Sequence, residues 1–256
     1  ARFPDYTVEY RAWDDTPKKY ARPVTIQTGP LGAQYASLPG TTRTMCQDQT
    51  ATITNGDLDL RVKFAAADWT PAVSGTILAR FGNPGDCLFR FGVTDAGLLS
   101  FNWSTDGTNS QTTAVSTSAL GFADGATAWV RVTLDIDNGA GGHDIKFYES
   151  TDDTATWVQV GATITRAGTT SLYTATTGPW EIGGRGGNAA MLAGSWYEVE
   201  IRNGIGDAFP LLAAPLSNAW YPTGNDTPVT RAGSPVITLL NGSISGGAIV
   251  GNFAPQ

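Results

Sequence analysis

The clearest alternation of apolar and polar positions lies between Trp129 and Val160. One set of positions is aliphatic and the other is polar or aromatic: Val130, Val132, Leu134 and Ile136 alternate with Trp129, Arg131, Thr133 and Asp135. A period of two predicts a strand with one face on a core and the other toward water. Residues 137–142 (DNGAGG) favour a turn, and the alternation resumes at Ile145 and, after a second turn, at Val158. The stretch therefore predicts three consecutive antiparallel strands.

Short apolar segments separated by turn residues continue along much of the chain. They span residues 35–38, 58–64, 77–81, 87–93, 98–103, 180–182 and 192–202. Residues 105–118 are rich in Ser and Thr and predict a long loop or a weak edge strand. No apolar pattern with helical spacing is sustained over a dozen residues. The sequence thus predicts an all-β fold, a two-sheet antiparallel β-sandwich or jelly roll.

The charge balance narrows the classes of partner. The formal net charge of −7 argues against nucleic acid and anionic membranes as partners, because both repel an acidic surface. No run approaches the ~20 apolar residues that a membrane helix needs. No secretion signal is visible at the start of the sequence, although an already processed chain would look the same.

Cysteine and histidine add little chemistry. Cys46 and Cys87 either pair or remain buried thiols, and the lack of a visible secretion signal favours thiols. A single histidine, His143, excludes the common zinc spacings and any relay that needs more than one imidazole. Because His143 stands beside a Gly-rich turn, we expect it to be a solvated loop residue.

Residues 1–32 differ from the rest of the chain, because aromatic residues are interleaved there with prolines and charges. The aromatic residues are Phe3, Tyr6, Tyr10, Trp13 and Tyr20. The pattern predicts an extended N-terminal assembly arm, lying along its own domain or against a partner chain, since exposed aromatic side chains promote association. An ordinary first strand followed by a loop is the alternative.

Several sequence blocks follow one another in residues 33–207. They are ASLPG, GDLDLRVKFAAADWTPA, ILARFG, FRFGVTDAGLLSFNWSTDG, ADGATAWVRVTLDIDNGAGGHDIKFYESTDDTATWVQVG, TTGPWEIGGRGG and YEVEIRNGIG. Together they resemble the concanavalin A-like/laminin G-like jelly-roll domains, and more narrowly the versions in minor tail and other virion proteins of phages that infect actinobacteria. In residues 208–256, TPVTRAG and LLNGSISGG resemble the closing strand pair of that family, which predicts C-terminal strands that complete or decorate the sandwich.

The resemblance implies a non-enzymatic structural protein of a bacteriophage virion, assembled in the host cytoplasm and exposed on the particle surface. A minor tail or tail-tip protein is the first expectation, and a head-decoration protein the second. The implied partners are other virion proteins, further copies of the chain and host-surface glycans. The alternative is a carbohydrate-binding receptor or adhesin module, with a glycoside hydrolase third, because this fold hosts lectins, hydrolases and structural modules.

Four tryptophans are the candidates for glycan binding, because sugars stack on exposed aromatic faces. They are assigned to the face opposite the aliphatic residues of their strands and are Trp103, Trp129, Trp157 and Trp196. For each one, packing under a loop or at a subunit contact is the alternative.

A catalytic site is not predicted. Glu198 and Glu200 lie on one face of a predicted strand, beside Arg202. Glucanases of this fold carry Glu-x-Asp-x-Glu or Glu-x-Asp-x-x-Glu, and the intervening Asp is missing here. Arg202 on the same face favours two ionised, solvated carboxylates.

The sequence predicts no cofactor, and the resemblance leaves calcium binding open. Some laminin G-like domains bind calcium through loops at the rim of the sandwich. The carboxylates near such a loop here, which are the candidate ligands, are Asp135, Asp137 and Asp144.

Overall fold

A computed structural model describes residues 35–41, 44–46, 56–81, 86–108, 111–151, 156–175, 180–185 and 189–206, together with the backbone of five strands within residues 210–244. None of these residues lies in an α-helix. The all-β prediction is therefore confirmed. In the part of the chain that is described, no helix has the length and apolar character needed to cross a membrane.

Eighteen strands follow one another along the described residues. The first nine are β1 (Tyr35–Pro39), β2 (Thr44–Cys46), β3 (Leu58–Ala66), β4 (Gly75–Phe81), β5 (Cys87–Val93), β6 (Leu98–Trp103), β7 (Thr112–Ala119), β8 (Thr127–Asp135) and β9 (Gly142–Ser150). The others are β10 (Val158–Gln159), β11 (Ile164–Ala167), β12 (Trp180–Ile182), β13 (Ala193–Asn203), β14 (Pro210–Pro215), β15 (Trp220–Pro222), β16 (Val229–Ala232), β17 (Ile237–Leu240) and β18 (Ser243–Ile244).

The strands form two antiparallel sheets, which confirms the predicted sandwich. The large sheet has the order β10-β9-β8-β3-β13-β1-β16-β17-β18, with β11 paired to β9 and β14 paired to β13. The small sheet has the order β15-β2-β12-β4-β5-β6-β7. Strands from residues 210–244 thus enter both sheets, and β7 is the edge strand that was one of the two alternatives for residues 105–118.

The core lies between the sheets and is built from the inward positions of each strand. The large sheet contributes aliphatic side chains such as Leu60 of β3 and Val132 of β8, and the small sheet contributes aromatic ones such as Phe91 and Phe101. All four are at most 1% exposed. Burying each such side chain stabilises the fold by roughly 1.5–3 kcal/mol, so a one-residue slip of either strand is strongly disfavoured.

The predicted three-stranded meander is present as β8, β9 and β10. The turn between β8 and β9 uses Gly139 and Gly141, whose φ angles of 71° and 79° favour glycine. The third strand is shorter than predicted, since β10 has two residues and Val158 is 58% exposed. Val160 is buried as expected.

His143 is not the solvated loop residue that the sequence predicts. It belongs to β9, is only 6% exposed and points to the same side as Ile145 and Phe147. Its Nδ1 lies 2.7 Å from the Gly168 carbonyl oxygen, and its ring meets the Trp103 ring edge-on. Strand β11 pairs alongside β9 and shields this end of the sheet, which the Gly-rich turn did not indicate.

Cys87 is a buried thiol on the outward face of the small sheet. It packs with Ala79 and Phe81, and burial raises its pKa. The side chain of Cys46 lies outside the described residues.

Candidate functional site

Trp196 is a core residue, and its assignment to a glycan-binding face is wrong. It is 0% exposed, stacks on Phe64 at 5.4 Å between ring centroids, and donates a hydrogen bond from Nε1 to the Ile77 carbonyl oxygen at 3.1 Å. The cause is a β-bulge: Trp196 pairs with Phe64 but Glu198 pairs with Lys63. The extra residue reverses the inward–outward alternation, so Trp196 and Glu198 face opposite sides of the sheet.

Trp103 is also a core residue, and the same prediction is wrong for it. It is 0% exposed, stacks on Phe101 at 5.6 Å between centroids, and donates from Nε1 to Thr170 Oγ1 at 3.0 Å. Leu98 and Leu99 are adjacent in sequence, so the aliphatic residues of β6 indicate neither face by themselves. The structure turns Leu99 inward together with Phe101 and Trp103.

Trp129 and Trp157 lie on the outward face of the large sheet, where the sequence placed them. Trp129 is 6% exposed and is covered by Trp157, which meets it edge-on at 6.3 Å between centroids. Trp157 itself is partly exposed and stands just before β10. Glycan binding by this pair stays a prediction.

Two arginines and a tyrosine complete an aromatic–arginine cluster around Trp157. The cluster consists of Trp129, Trp157, Tyr148, Arg61 and Arg131. Arg61, Arg131 and Tyr148 are direct cross-strand neighbours on β3, β8 and β9. The Cζ atoms of Arg61 and Arg131 lie 5.6 Å and 5.4 Å from the centroid of the Trp157 ring, and Arg131 Cζ is 4.8 Å from that of Tyr148. Each such cation–π contact contributes ~0.5–2 kcal/mol and restrains the rings.

Asp59 is the counterion beneath the cluster. It is 0% exposed. Its carboxylate accepts two hydrogen bonds from Arg131, both of 2.8 Å, and two from Arg61, of 3.2 Å and 2.8 Å. The backbone N–H of Gly206 donates a further bond at 3.3 Å. Burial alone would raise the pKa of Asp59, but the hydrogen bonds and charges of Arg61 and Arg131 outweigh burial and lower it. Asp59 therefore fixes both guanidinium groups under the Trp157 ring.

Glu200 extends this ion network along β13. Its Oε2 accepts hydrogen bonds of 3.2 Å and 2.8 Å from Arg202 and lies 3.7 Å from Arg61 Nη1. Glu198 is exposed on the same face. Glu200 therefore belongs to an ion network with Arg61 and Arg202.

The side chains of the three candidate calcium ligands accept hydrogen bonds from residues in and beside the turn between β8 and β9. Asp135 and Asp144 are cross-strand partners, and Asp144 Oδ1 accepts from Asn138 Nδ2 at 2.9 Å and from Thr165 Oγ1 at 2.8 Å. These two bonds lower the pKa of Asp144. Asp137 Oδ1 accepts from the Gly139 N–H. Among the described residues, no group of three or more His, Cys, Asp or Glu is arranged to hold a metal ion.

Five predicted site residues lie outside the described part of the chain, and four residues of the observed site were not predicted. The assembly arm, with Phe3, Tyr6, Tyr10, Trp13 and Tyr20, lies outside the described residues. Asp59, Arg61, Arg131 and Tyr148 were not candidates. They occupy the outward positions of three strands, β3, β8 and β9, but the sequence does not show that residues 58–66 and 127–135 are neighbours.

Comparison with solved structures identifies the fold. The chain is similar to a native heptameric SAP-like pentraxin from Limulus polyphemus, with a TM-score of 0.52 and 13% identity over 81% of this chain and 95% of the pentraxin chain. The fold is a concanavalin A-like jelly roll. No protein-family model and no curated protein matches the sequence.

Two further jelly rolls are similar at lower TM-scores. One is the CBM40 domain of the Ruminococcus gnavus IT-sialidase bound to α2,3 sialyllactose, with a TM-score of 0.44 and 12% identity over 68% of this chain and 93% of that chain. The other is the LG4-5 pair of the mouse laminin α1 chain, with a TM-score of 0.43 and 13% identity over 79% of this chain and 50% of that chain. A jelly roll hosts many functions, so the site and not the fold carries the functional argument.

Proposed function

We propose that this protein is a non-enzymatic carbohydrate-binding module that holds a sugar ring against Trp157. The observation that carries the proposal is the fixed, partly exposed Trp157 ring on the outward face of the large sheet. An aromatic face is negative, and the C–H groups on one side of a pyranose are weakly positive and apolar, so the two surfaces attract each other.

The support under Trp157 favours a binding role over simple surface packing. Trp129 contacts one edge of the ring, and Arg61 and Arg131 lie against it at cation–π distance. Both arginines are held in turn by Asp59. A ring held in this way loses little conformational entropy when a ligand binds, which is how preorganised sites gain affinity.

Polar groups beside the ring suit the hydroxyl groups of a sugar. Tyr148 is partly exposed next to Arg131, and its phenol both donates and accepts hydrogen bonds. Glu200 lies beside Arg61 on the next strand and offers carboxylate oxygens. Apolar stacking on one ring combined with a few orienting polar groups is typical of small-ligand sites.

The virion role remains a prediction from sequence resemblance. A glycan-binding module displayed on a particle would contact host-surface sugars, so the two proposals are compatible. Association with other virion proteins or with further copies of the chain likewise stays a prediction.

The test is a glycan array with the purified full chain, followed by calorimetric titration of the best ligand against Trp157→Ala. Trp157→Ala removes the indole face on which the sugar stacks. The binding free energy should weaken by ~1–2 kcal/mol, which is about 5- to 30-fold in Kd. Trp157→Phe retains a flat ring and should lose less affinity than Trp157→Ala.

The matched control is Val73→Ala, which trims a 74% exposed apolar side chain in the connection between β3 and β4 and should leave Kd unchanged. An array without any bound sugar would reject the function. A bound sugar whose affinity is the same for wild type and Trp157→Ala would reject the site.

A further inference from the structure

Arg90 is a half-buried cation on the outward face of the small sheet, the side of the molecule opposite the aromatic–arginine cluster. It alternates along β5 with the core residues Phe89 and Phe91, so its side chain lies on the other face. Among the residues that the structure describes, Asp59 and Glu200 form ion pairs with Arg61, Arg131 and Arg202, and none of these pairs includes Arg90. A half-buried charge without a counterion is costly, and an incoming anion would relieve that cost.

One side of the Arg90 guanidinium is already positioned by the protein. Its Nε donates a hydrogen bond to Thr76 Oγ1 at 3.0 Å. Thr76 is the cross-strand partner of Gly92, and Gly92 has no side chain to obstruct Arg90 on this face. With Nε engaged, the two terminal amino groups remain, and their parallel N–H bonds match the two oxygens of a carboxylate.

The groups around Arg90 on this face are polar and carry both signs of charge, because Arg185 and the buried Glu181 lie on the same side of the small sheet. Arg185 places its Cζ 5.0 Å from the centroid of the Phe81 ring, on the same outward face. Burial and the charge of Arg185 together lower the pKa of Arg90. Asn102 is the direct cross-strand neighbour of Arg90 and donates to Thr113 Oγ1 at 2.5 Å, which leaves a second amide N–H on the same row.

We propose that the outward face of the small sheet binds the carboxylate group of a ligand end-on at Arg90, with Thr76 positioning the guanidinium. The carboxylate accepts two parallel hydrogen bonds from the terminal amino groups of Arg90, and Asn102 lies beside it as a further donor. This site is separate from the Trp157 surface and does not depend on it. The ligand class is a sugar acid or another small carboxylate.

The test follows the Arg90 Nε–H resonance of the full-length, ¹⁵N-labelled protein during titration with sodium glucuronate at constant ionic strength. Glucose, which lacks the carboxylate, is the matched neutral probe, and sodium acetate reports whether a carboxylate alone is sufficient. We expect glucuronate to shift the Arg90 resonance along a saturable curve and glucose to leave it in place. Saturation by acetate with equal affinity would assign the whole interaction to the carboxylate, and tighter binding of glucuronate would add contacts from the sugar ring.

Variants separate the guanidinium from general charge. Arg90→Gln should weaken glucuronate binding at least about tenfold, because a bidentate pair of hydrogen bonds to a charged group is lost. Arg90→Lys keeps the charge without the fork and should also bind more weakly than wild type. Lys146→Gln, which removes one positive charge from the large sheet, should bind as wild type does.

Three results would overturn the proposal. The first is an Arg90 resonance in the wild-type protein that moves no more than those of the other arginines, a result that does not depend on whether any variant folds. The second is a shift of the same size with glucose. The third is an equal loss of affinity in Lys146→Gln and Arg90→Gln.

Discussion

Replacing Asp59 by Asn removes a fully buried negative charge from beneath two arginines. The wild-type carboxylate accepts four hydrogen bonds from the guanidinium groups of Arg61 and Arg131. The amide of Asn has a single oxygen, so two of these bonds are lost, at ~1.5–3 kcal/mol for each hydrogen bond to a charged group. Arg131, which is 8% exposed, is left without a full counterion. We therefore expect the free energy of unfolding to fall by about 3–5 kcal/mol, as when one partner of a buried ion pair is removed.

The effect of Asp59→Asn should depend on pH. Arg61 and Arg131 hold the pKa of Asp59 below its ordinary value of 3.8 despite burial. A carboxyl group with a lower pKa in the folded state stabilises that state above its unfolded-state pKa of about 3.9, and the stabilisation is lost as the pH falls through the folded-state pKa. The difference in unfolding free energy between wild type and variant is therefore largest near neutral pH and shrinks below about pH 4.

Urea unfolding followed by tryptophan fluorescence at neutral and acidic pH measures both quantities. Asp95→Asn makes the same chemical change at an exposed turn position and should alter the unfolding free energy by less than ~0.5 kcal/mol. The reasoning is refuted if Asp59→Asn costs less than ~1 kcal/mol near neutral pH, well below the range for a broken buried pair. An equal cost at both pH values would also refute the role assigned to the charge.

Two further changes test the loops and the edge of the large sheet. Gly161→Ala should lower the Tm by more than Gly139→Ala does. Both glycines have positive φ, which costs ~1–2 kcal/mol for alanine, but only at Gly161 would the new Cβ press on Thr117 Oγ1 and on the backbone nitrogens of Thr117 and Ser118. Equal shifts in Tm would contradict the packing at Gly161. Burial raises the pKa of Glu149, so the ionised carboxylate destabilises the folded state at a pH above its folded-state pKa. Glu149→Gln should therefore stabilise the protein near neutral pH. Below the unfolded-state pKa of about 4.3 the substitution should give no stabilisation. Urea titrations at both pH values check this, and destabilisation at neutral pH would contradict it.

The sequence was sufficient for local structure and insufficient for the pairing of distant strands. The alternation from Val130 to Leu134 predicted β8 correctly because each residue reports its own face. Trp196 was assigned to the wrong face because a bulge depends on the register between β13 and β3, and the residues of β13 alone do not encode that register. The aromatic–arginine cluster could not be assembled for the same reason, since Asp59 and Arg131 are 72 residues apart.

The position of β3 in the large sheet has a kinetic consequence. Its two neighbours are β8, about midway along the chain, and β13, which begins at Ala193. A nascent chain that has not yet reached β13 holds β3 with one unpaired edge, which is an open template for pairing with another chain. Such long sequence separations also slow folding, because the loop-closure entropy must be overcome before the contacts form. We therefore expect slow refolding, with aggregation that depends on protein concentration and competes until β13 has docked beside β3.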